Sequence, residues 1–133
     1  MELVDFLRAR LDEDEAVARR AHEYASPEWH LDGEYGETVL WWPPEFHTPY
    51  EEDKHWRGLA VDASGIAPHI ARHDPARVLA EVEARREIVA LHAEGASDLF
   101  CSHCEHEPPC PTLRLLARPF RAHPDFDPAW LED

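Results

Sequence analysis

The sequence predicts an α+β domain that a metal site fastens near its C-terminal end. Two long stretches, residues 2–24 and 75–92, repeat apolar side chains at helical spacing. The stretch between them, residues 28–62, is rich in tryptophan and is interrupted by turn signals, as a small sheet would be. A cluster of thiols follows the second stretch, and its members are Cys101, Cys104 and Cys110.

Length and charge limit the classes of protein that the chain can belong to. With 133 residues and 44% hydrophobic content, we expect one domain over residues 1–133. The 28 acidic residues outnumber the 13 basic ones, which gives a formal net charge of −15. This argues against direct nucleic-acid binding, because such binding needs cations that displace counterions from phosphates. The simplest role for the charge is solubility; an acidic surface for a protein partner and a nucleic-acid mimic are alternatives.

The first residues do not have the pattern of a signal peptide. The opening MELVDFLRARLDEDE is amphipathic and acidic, whereas a signal peptide has a basic start and an apolar run. No apolar run approaches the ~18 residues that a membrane span needs. We therefore expect a cytoplasmic protein without a membrane partner. Cysteines stay reduced in that compartment, so their clustering indicates a metal site rather than disulfides.

The first helix is predicted over residues 2–24. Charged residues surround one apolar stripe, and Pro27 ends the segment. The predicted stripe consists of Leu3, Phe6, Leu7, Leu11, Val17, Ala18 and Ala21.

An antiparallel sheet of two or three strands is predicted within residues 28–62. Asp32-Gly33 is a turn signal, residues 38–42 are β-branched and aromatic, and Leu59 and Val61 alternate with smaller or polar residues. Most of the tryptophans lie here, namely Trp29, Trp41, Trp42 and Trp56. They suit the thin core between a short sheet and its helices, and a binding surface is the alternative.

Three helices are predicted in the second half of the chain. Residues 66–72 form a short one. Asp74-Pro75 is a strong start signal for the long helix over residues 75–92, because aspartate caps a helix and proline suits its first turn. Pro111 opens a short last helix. Phe126 and Trp130 are expected to anchor the polar segment that follows.

The three cysteines have the spacing of a structural Zn²⁺ site. Cys101 and Cys104 form a C-x2-C knuckle, which places two thiolates at neighbouring corners of a tetrahedron. Cys110 precedes Pro111, so its sulfur lies at a helix start, where the helix dipole favours a thiolate. A zinc ion held here would fasten residues 92–118.

Zinc on three cysteines needs a fourth ligand, and two histidines are the candidates. His92 lies at the edge of the buried face of the long helix, where an unpaired imidazole would be unfavourable. His106 lies inside the cysteine loop and is the alternative. His103, between the first two cysteines, is the weakest, because a knuckle turns that side chain away.

An enzymatic interpretation rests on Glu94. His92-Ala-Glu94 followed by C-x2-C spells the H-A-E and C-x-x-C of zinc-dependent nucleoside deaminases, in which the glutamate is the acid and base. In those enzymes the triplet begins a helix and a proline precedes C-x-x-C. Here the triplet ends a predicted helix and Phe100 replaces that proline. A zinc-dependent hydrolase or deaminase is therefore the alternative to a structural site.

Several segments resemble one family of small proteins, DUF6221, a domain of unknown function found in streptomycetes and their phages. The similar segments are residues 69–86, the C-x2-C pair, residues 110–117 with the H-P-D that follows, and the opening LVDFLRARLDEDE. Residues 26–60 are not matched. The resemblance implies a histidine ligand at the end of the long helix, which supports His92, and a mobile-element context. It implies no activity.

We therefore predict a non-enzymatic, acidic, zinc-stabilised binding or regulatory module that acts on a protein partner. Its metal ligands would be Cys101, Cys104, Cys110 and His92, with His106 as the alternative fourth ligand.

Overall fold

A computed structural model of the chain describes residues 1–33, 36, 38–41, 58–60, 65–93 and 100–131. It confirms the α+β class. The helices are α1 (Leu3–Tyr24), α2 (Ile66–Arg72), α3 (Pro75–Ala93) and α4 (Pro111–Ala117). The strands are β1 (His30–Asp32), β2 (Thr38–Leu40) and β3 (Gly58–Ala60). Two 3-10 turns follow α4, at Arg118–Phe120 and Pro128–Leu131.

The chain divides into two compact units. One consists of Met1–Asp14 and Glu81–Asp133, and the other of Glu15–Ala80. The expectation of one domain over residues 1–133 stays a prediction. Among the described residues, none of the helices combines the length and the apolar character that crossing a membrane requires.

The unit formed by Glu15–Ala80 contains the sheet. Its order is β1-β2-β3 and both pairs are antiparallel, with Val39 opposite Leu31 on one side and Leu59 on the other. Val39 and Leu40 are buried, and α2 packs on β1 and β2. The Trp29 and Trp41 rings lie 5.8 Å apart and are both half-buried. Trp42, Trp56 and Val61 lie outside the described residues.

Asp74 joins the start of α3 to the segment before β1. One carboxylate oxygen accepts a hydrogen bond from the backbone N–H of Arg77 at 2.9 Å, which caps the helix. The other accepts from the backbone N–H of Trp29 at 3.2 Å. Close by, the N–H of Ala76 donates to the carbonyl of Pro27 at 2.9 Å. The predicted start signal is thus also a contact between segments far apart in sequence.

Asp74→Ala is expected to lower the free energy of unfolding by about 1–3 kcal/mol, because it removes the helix cap and the acceptor of a second N–H. Asp74→Asn keeps one acceptor oxygen and should therefore lose less stability than Asp74→Ala. Urea denaturation followed by circular dichroism measures both. Glu83→Ala, at an exposed position of the same helix, is the control. If Asp74→Ala unfolds at the same urea concentration as Glu83→Ala, the carboxylate does not have this role.

The unit that contains the cysteines is built around Phe6. The Phe6 ring is fully buried, and its centroid lies 4.9 Å from that of Trp130, 5.8 Å from Phe126 and 6.3 Å from Phe120. These tilted and edge-on arrangements are the favourable ones for aromatic pairs. Aliphatic side chains complete this core, namely Leu3, Leu7, Leu11, Val82, Val89 and Leu113. Phe126 and Trp130 are buried, as expected of anchors.

Arg10 is the one buried charged side chain among the described residues. Its guanidinium carbon lies 5.2 Å from the centre of the Phe6 ring, in cation–π range. One terminal nitrogen donates to Glu13 at 2.9 Å and the other contacts the imidazole of His123.

The prediction for α1 was wrong at Val17, whose exposed fraction is 72%. At 3.6 residues per turn, Val17 lies about 20° around the helix from Phe6 and about 40° from Leu3, so its angle falls within the stripe and does not account for its exposure. An apolar residue near the right spacing is therefore not sufficient evidence of burial.

Candidate metal centre

Four side chains from three segments converge in the cysteine-containing unit. The Nδ1 atom of His92 lies 3.5 Å from the sulfur of Cys101, 3.6 Å from that of Cys104 and 3.5 Å from that of Cys110. All four ligand atoms lie within 4.8 Å of one another. Among the described residues this is the only group of three or more histidine, cysteine and acidic side chains suited to a metal.

The spacing of these atoms is that of a tetrahedron around a zinc-sized ion. With zinc–sulfur bonds of about 2.3 Å and zinc–nitrogen bonds of about 2.05 Å, each sulfur would lie about 3.6 Å from the nitrogen. The three nitrogen–sulfur distances range from 3.5 to 3.6 Å. The sulfurs of Cys101 and Cys104 are 3.4 Å apart, slightly closer than the roughly 3.8 Å that the same geometry implies.

Backbone hydrogen bonds around Cys101 hold the C-x2-C knuckle in its shape. The N–H of Glu105 donates to the Cys101 carbonyl at 2.9 Å, which closes a turn over the C-x2-C pair. The N–H of Cys101 donates to the His106 carbonyl at 2.8 Å. Glu105 adopts a φ of 56°, the left-handed conformation that favours glycine. The turn thus brings the sulfurs of Cys101 and Cys104 to the same side of the loop.

Helix ends supply the other two side chains. His92 lies in the last turn of α3, at a half-buried position. Cys110 immediately precedes α4, and its carbonyl accepts the N–H of Arg114 at 3.1 Å in the first helical turn. Pro111 occupies the first helical position, where its missing N–H leaves no donor unsatisfied. Cys101 and Cys110 are buried.

The thiols of the knuckle have opposite pKa shifts. The backbone N–H of Cys104 is the main cause that lowers the pKa of Cys101 to about 6, and the N–H of His103 adds to it. Burial is the main cause that raises the pKa of Cys104 to about 12, together with the sulfurs of Cys110 and Cys101. Negative charge on one sulfur thus opposes ionisation of the next, since all three share a small volume.

The two candidate histidines lie in different places. His92 faces the three sulfurs, whereas His106 is exposed and its ring contacts the carbonyl of Cys104. His103 is exposed as well, but its ring stacks edge-on against His92 with centroids 5.5 Å apart. The sequence did not indicate this contact, because a knuckle is expected to turn His103 away from the ligands. Glu94 lies outside the described residues.

A cavity of about 500 Å³ borders the cluster. His92, Cys101 and Cys110 form part of its wall, and Leu3 and Arg8 of α1 form another part. Nothing in the sequence pattern indicated this space, because its wall combines the first and last parts of the chain.

A comparison with known protein families gives a match over almost the whole chain. A family model described as "Family of unknown function (DUF6221)" matches residues 1–132. Neither the curated proteins nor the solved structures contain a match to the chain.

Proposed function

This chain belongs to the DUF6221 family of unknown function, and we propose that it is a non-enzymatic binding module built around a structural zinc ion. Its zinc ligands are Cys101, Cys104, Cys110 and His92. The match across residues 1–132 also includes residues 26–60, for which the sequence alone showed no resemblance.

One observation carries the proposal, namely the equal distances from His92 Nδ1 to three sulfurs. A three-thiolate, one-imidazole set is typical of structural zinc sites, and thiolates favour zinc over magnesium or calcium. Four protein donors complete a tetrahedron, so no position is left for a water that could attack a substrate.

Zinc at this position would tie α3, the knuckle and α4 together. The ligands come from the last turn of α3, from the loop and from the residue before α4. Binding of zinc by such ligand sets contributes about 10–16 kcal/mol in small zinc-finger peptides, and there it drives folding. A comparable contribution here would hold a loop that has few apolar residues of its own.

The binding role is supported by charge rather than by the cluster. A net charge of −15 suits a protein partner with a basic surface and disfavours contact with nucleic-acid phosphates. An acidic nucleic-acid mimic is the related alternative, which requires carboxylates at phosphate-like spacing on one face. The cytoplasmic location and the mobile-element context belong to this proposal.

The cavity beside the cluster is the observation that favours a second candidate, a zinc-dependent hydrolase or deaminase using Glu94. A substrate in that cavity would reach the side of the cluster formed by His92, Cys101 and Cys110. Catalysis would require one of the four donors to leave the metal, so that water could bind in its place.

Metal analysis of the purified chain tests the proposal. We expect about one zinc per chain, because four convergent donors define one tetrahedral site. After replacement with Co²⁺, the visible spectrum should have the intense bands of a tetrahedral, sulfur-rich site, and azide should leave it unchanged. Absence of bound metal would contradict the proposal. Bands that shift with azide would reveal an exchangeable position and favour the enzyme.

A further inference from the structure

A groove lies on the unit that contains the cysteine cluster, next to the cluster but outside it. Arg114, Leu115 and Arg118 of α4 and the turn after it line the groove. Pro109 of the loop that contains the cysteines and Leu131 of the last 3-10 turn line it as well. The groove encloses about 580 Å³, which is enough for one or two side chains of a bound peptide.

The groove exposes apolar surface that a folded chain normally buries. Leu115 and Leu131 have exposed fractions of 54% and 46%, and both line the groove. Trp130 lies between the groove and the Phe6 core, and its exposed fraction is 8%. Large apolar side chains gathered at one concave site mark an interaction surface more often than scattered ones do.

The charge around the groove is opposite to that of the chain. The described lining contains two arginines, Arg114 and Arg118, against one carboxylate, whereas the whole chain has a net charge of −15. Arg118 is exposed and forms no ion pair with any carboxylate of residues 100–131. Arg114 donates from Nε to the Pro109 carbonyl at 2.7 Å, which joins α4 to the loop that contains the cysteines. Glu107 is the one described carboxylate residue in the lining.

We propose that this groove binds a short acidic segment of a protein partner, in which a bulky apolar side chain stands next to aspartate or glutamate. The apolar side chain would pack between Leu115 and Leu131, and the neighbouring carboxylate would pair with Arg118. This goes beyond the proposed function, which assigns no surface to a partner. It rests on that function in one respect, because the zinc ion would hold the loop that contains Pro109.

Charge and shape favour a peptide over a nucleic acid. Phosphate binding needs several cations along a backbone, whereas the groove has two arginines beside apolar side chains such as Leu115 and Leu131. The carboxylates elsewhere on the chain repel a polyanion but act only weakly on a short peptide, because salt screens charges beyond about 10 Å.

Peptide selection on the intact chain tests the proposal. A random 12-residue phage-displayed library is selected on the immobilised chain in the presence of zinc, and the enriched peptides are then synthesised with a fluorescent label. We expect the enriched sequences to pair leucine, phenylalanine or tryptophan with aspartate or glutamate. Their affinity, measured by fluorescence anisotropy, should fall as salt rises.

Two groove variants and two matched controls assign the binding to this surface. Leu115→Asp and Arg118→Glu should each weaken binding by about tenfold or more, since each removes a central contact and adds a repulsive charge. Leu91→Asp places the same charge at an exposed leucine of α3, and Arg121→Glu reverses an exposed arginine that does not line the groove. Both controls should bind like the wild type.

Three outcomes would overturn the proposal: no enriched sequence, enriched peptides without acidic residues, or a Leu115→Asp variant that binds normally. Tight binding of a labelled single-stranded oligonucleotide in place of peptides would also overturn it. Metal content of every variant is measured alongside. If the peptide tests give a negative result while zinc stays bound, the proposed function is unaffected. If the wild-type chain binds no zinc, that function is refuted, whatever the result of the peptide tests.

Discussion

His92→Ala is expected to weaken zinc binding by roughly two to three orders of magnitude. If four ligands share the about 10–16 kcal/mol that zinc contributes in small zinc sites, one ligand accounts for about 2.5–4 kcal/mol. The nitrogen that the variant loses is the one atom in contact with all three sulfurs. The remaining thiolates would lie together without a fourth donor, so the loop should also lose order. Competition with a chromophoric chelator measures the dissociation constant.

Neighbouring histidines and one conservative variant serve as controls for His92→Ala. His106→Ala should keep its zinc, because that ring contacts a backbone carbonyl and is exposed. His103→Ala should weaken zinc binding by less than tenfold, since the His103 ring only stacks on His92. His92→Cys supplies a fourth thiolate and should restore tight binding. Loss of zinc from His106→Ala, with retention in His92→Ala, would reverse the assignment of the fourth ligand.

Phe6→Ala is expected to lower the free energy of unfolding by about 3–5 kcal/mol, the usual range for a fully buried phenylalanine. The Phe6 ring has an exposed fraction of 0% and contacts four other rings, those of Phe120, His123, Phe126 and Trp130. Its removal would leave a cavity beneath Trp130 and would take away the ring under the Arg10 guanidinium. The midpoint temperature of thermal unfolding should fall by roughly 10–20 °C.

Two matched variants determine whether the loss at Phe6 comes from its packing. Phe6→Leu keeps most of the volume and should lose about 1–1.5 kcal/mol. Phe100→Ala removes a phenylalanine with an exposed fraction of 46% and should change stability by less than about 0.5 kcal/mol. If Phe6→Ala is no worse than Phe100→Ala, the C-terminal segment does not pack on α1 as described.

Local signals explain why much of the fold was predictable. The Asp74-Pro75 pair marked the start of α3, which runs over Pro75–Ala93 against a predicted 75–92. The apolar stripe placed α1 within one residue of Leu3–Tyr24. In both cases the information lies in neighbouring residues, through capping and the spacing of apolar side chains. The metal-ligand cluster could be predicted for the same reason, since its side chains lie within nineteen positions, from His92 to Cys110.

Contacts between distant segments leave no local signal in the sequence. Arg10 meets His123, and Phe6 meets Trp130, yet no spacing rule relates positions so far apart in the chain. The groove could not be predicted for the same reason, because Leu115 and Leu131, sixteen positions apart, line it together. Val17 shows the limit even within a helix, because it lies at the angle of the buried stripe and is nevertheless exposed.

The unit that contains Phe6 cannot be completed on the ribosome until the last part of the chain has been translated. Its parts are Met1–Asp14 and Glu81–Asp133, so α1 emerges long before the aromatic residues that cover it. At about 5–20 residues per second, translation from position 14 to position 130 takes roughly 6 to 23 seconds. Until then Phe6 lacks the ring of Trp130, and the core of this unit is incomplete. The nascent chain should therefore be a client for chaperones that bind exposed apolar segments, and truncations before Trp130 should prolong that state indefinitely.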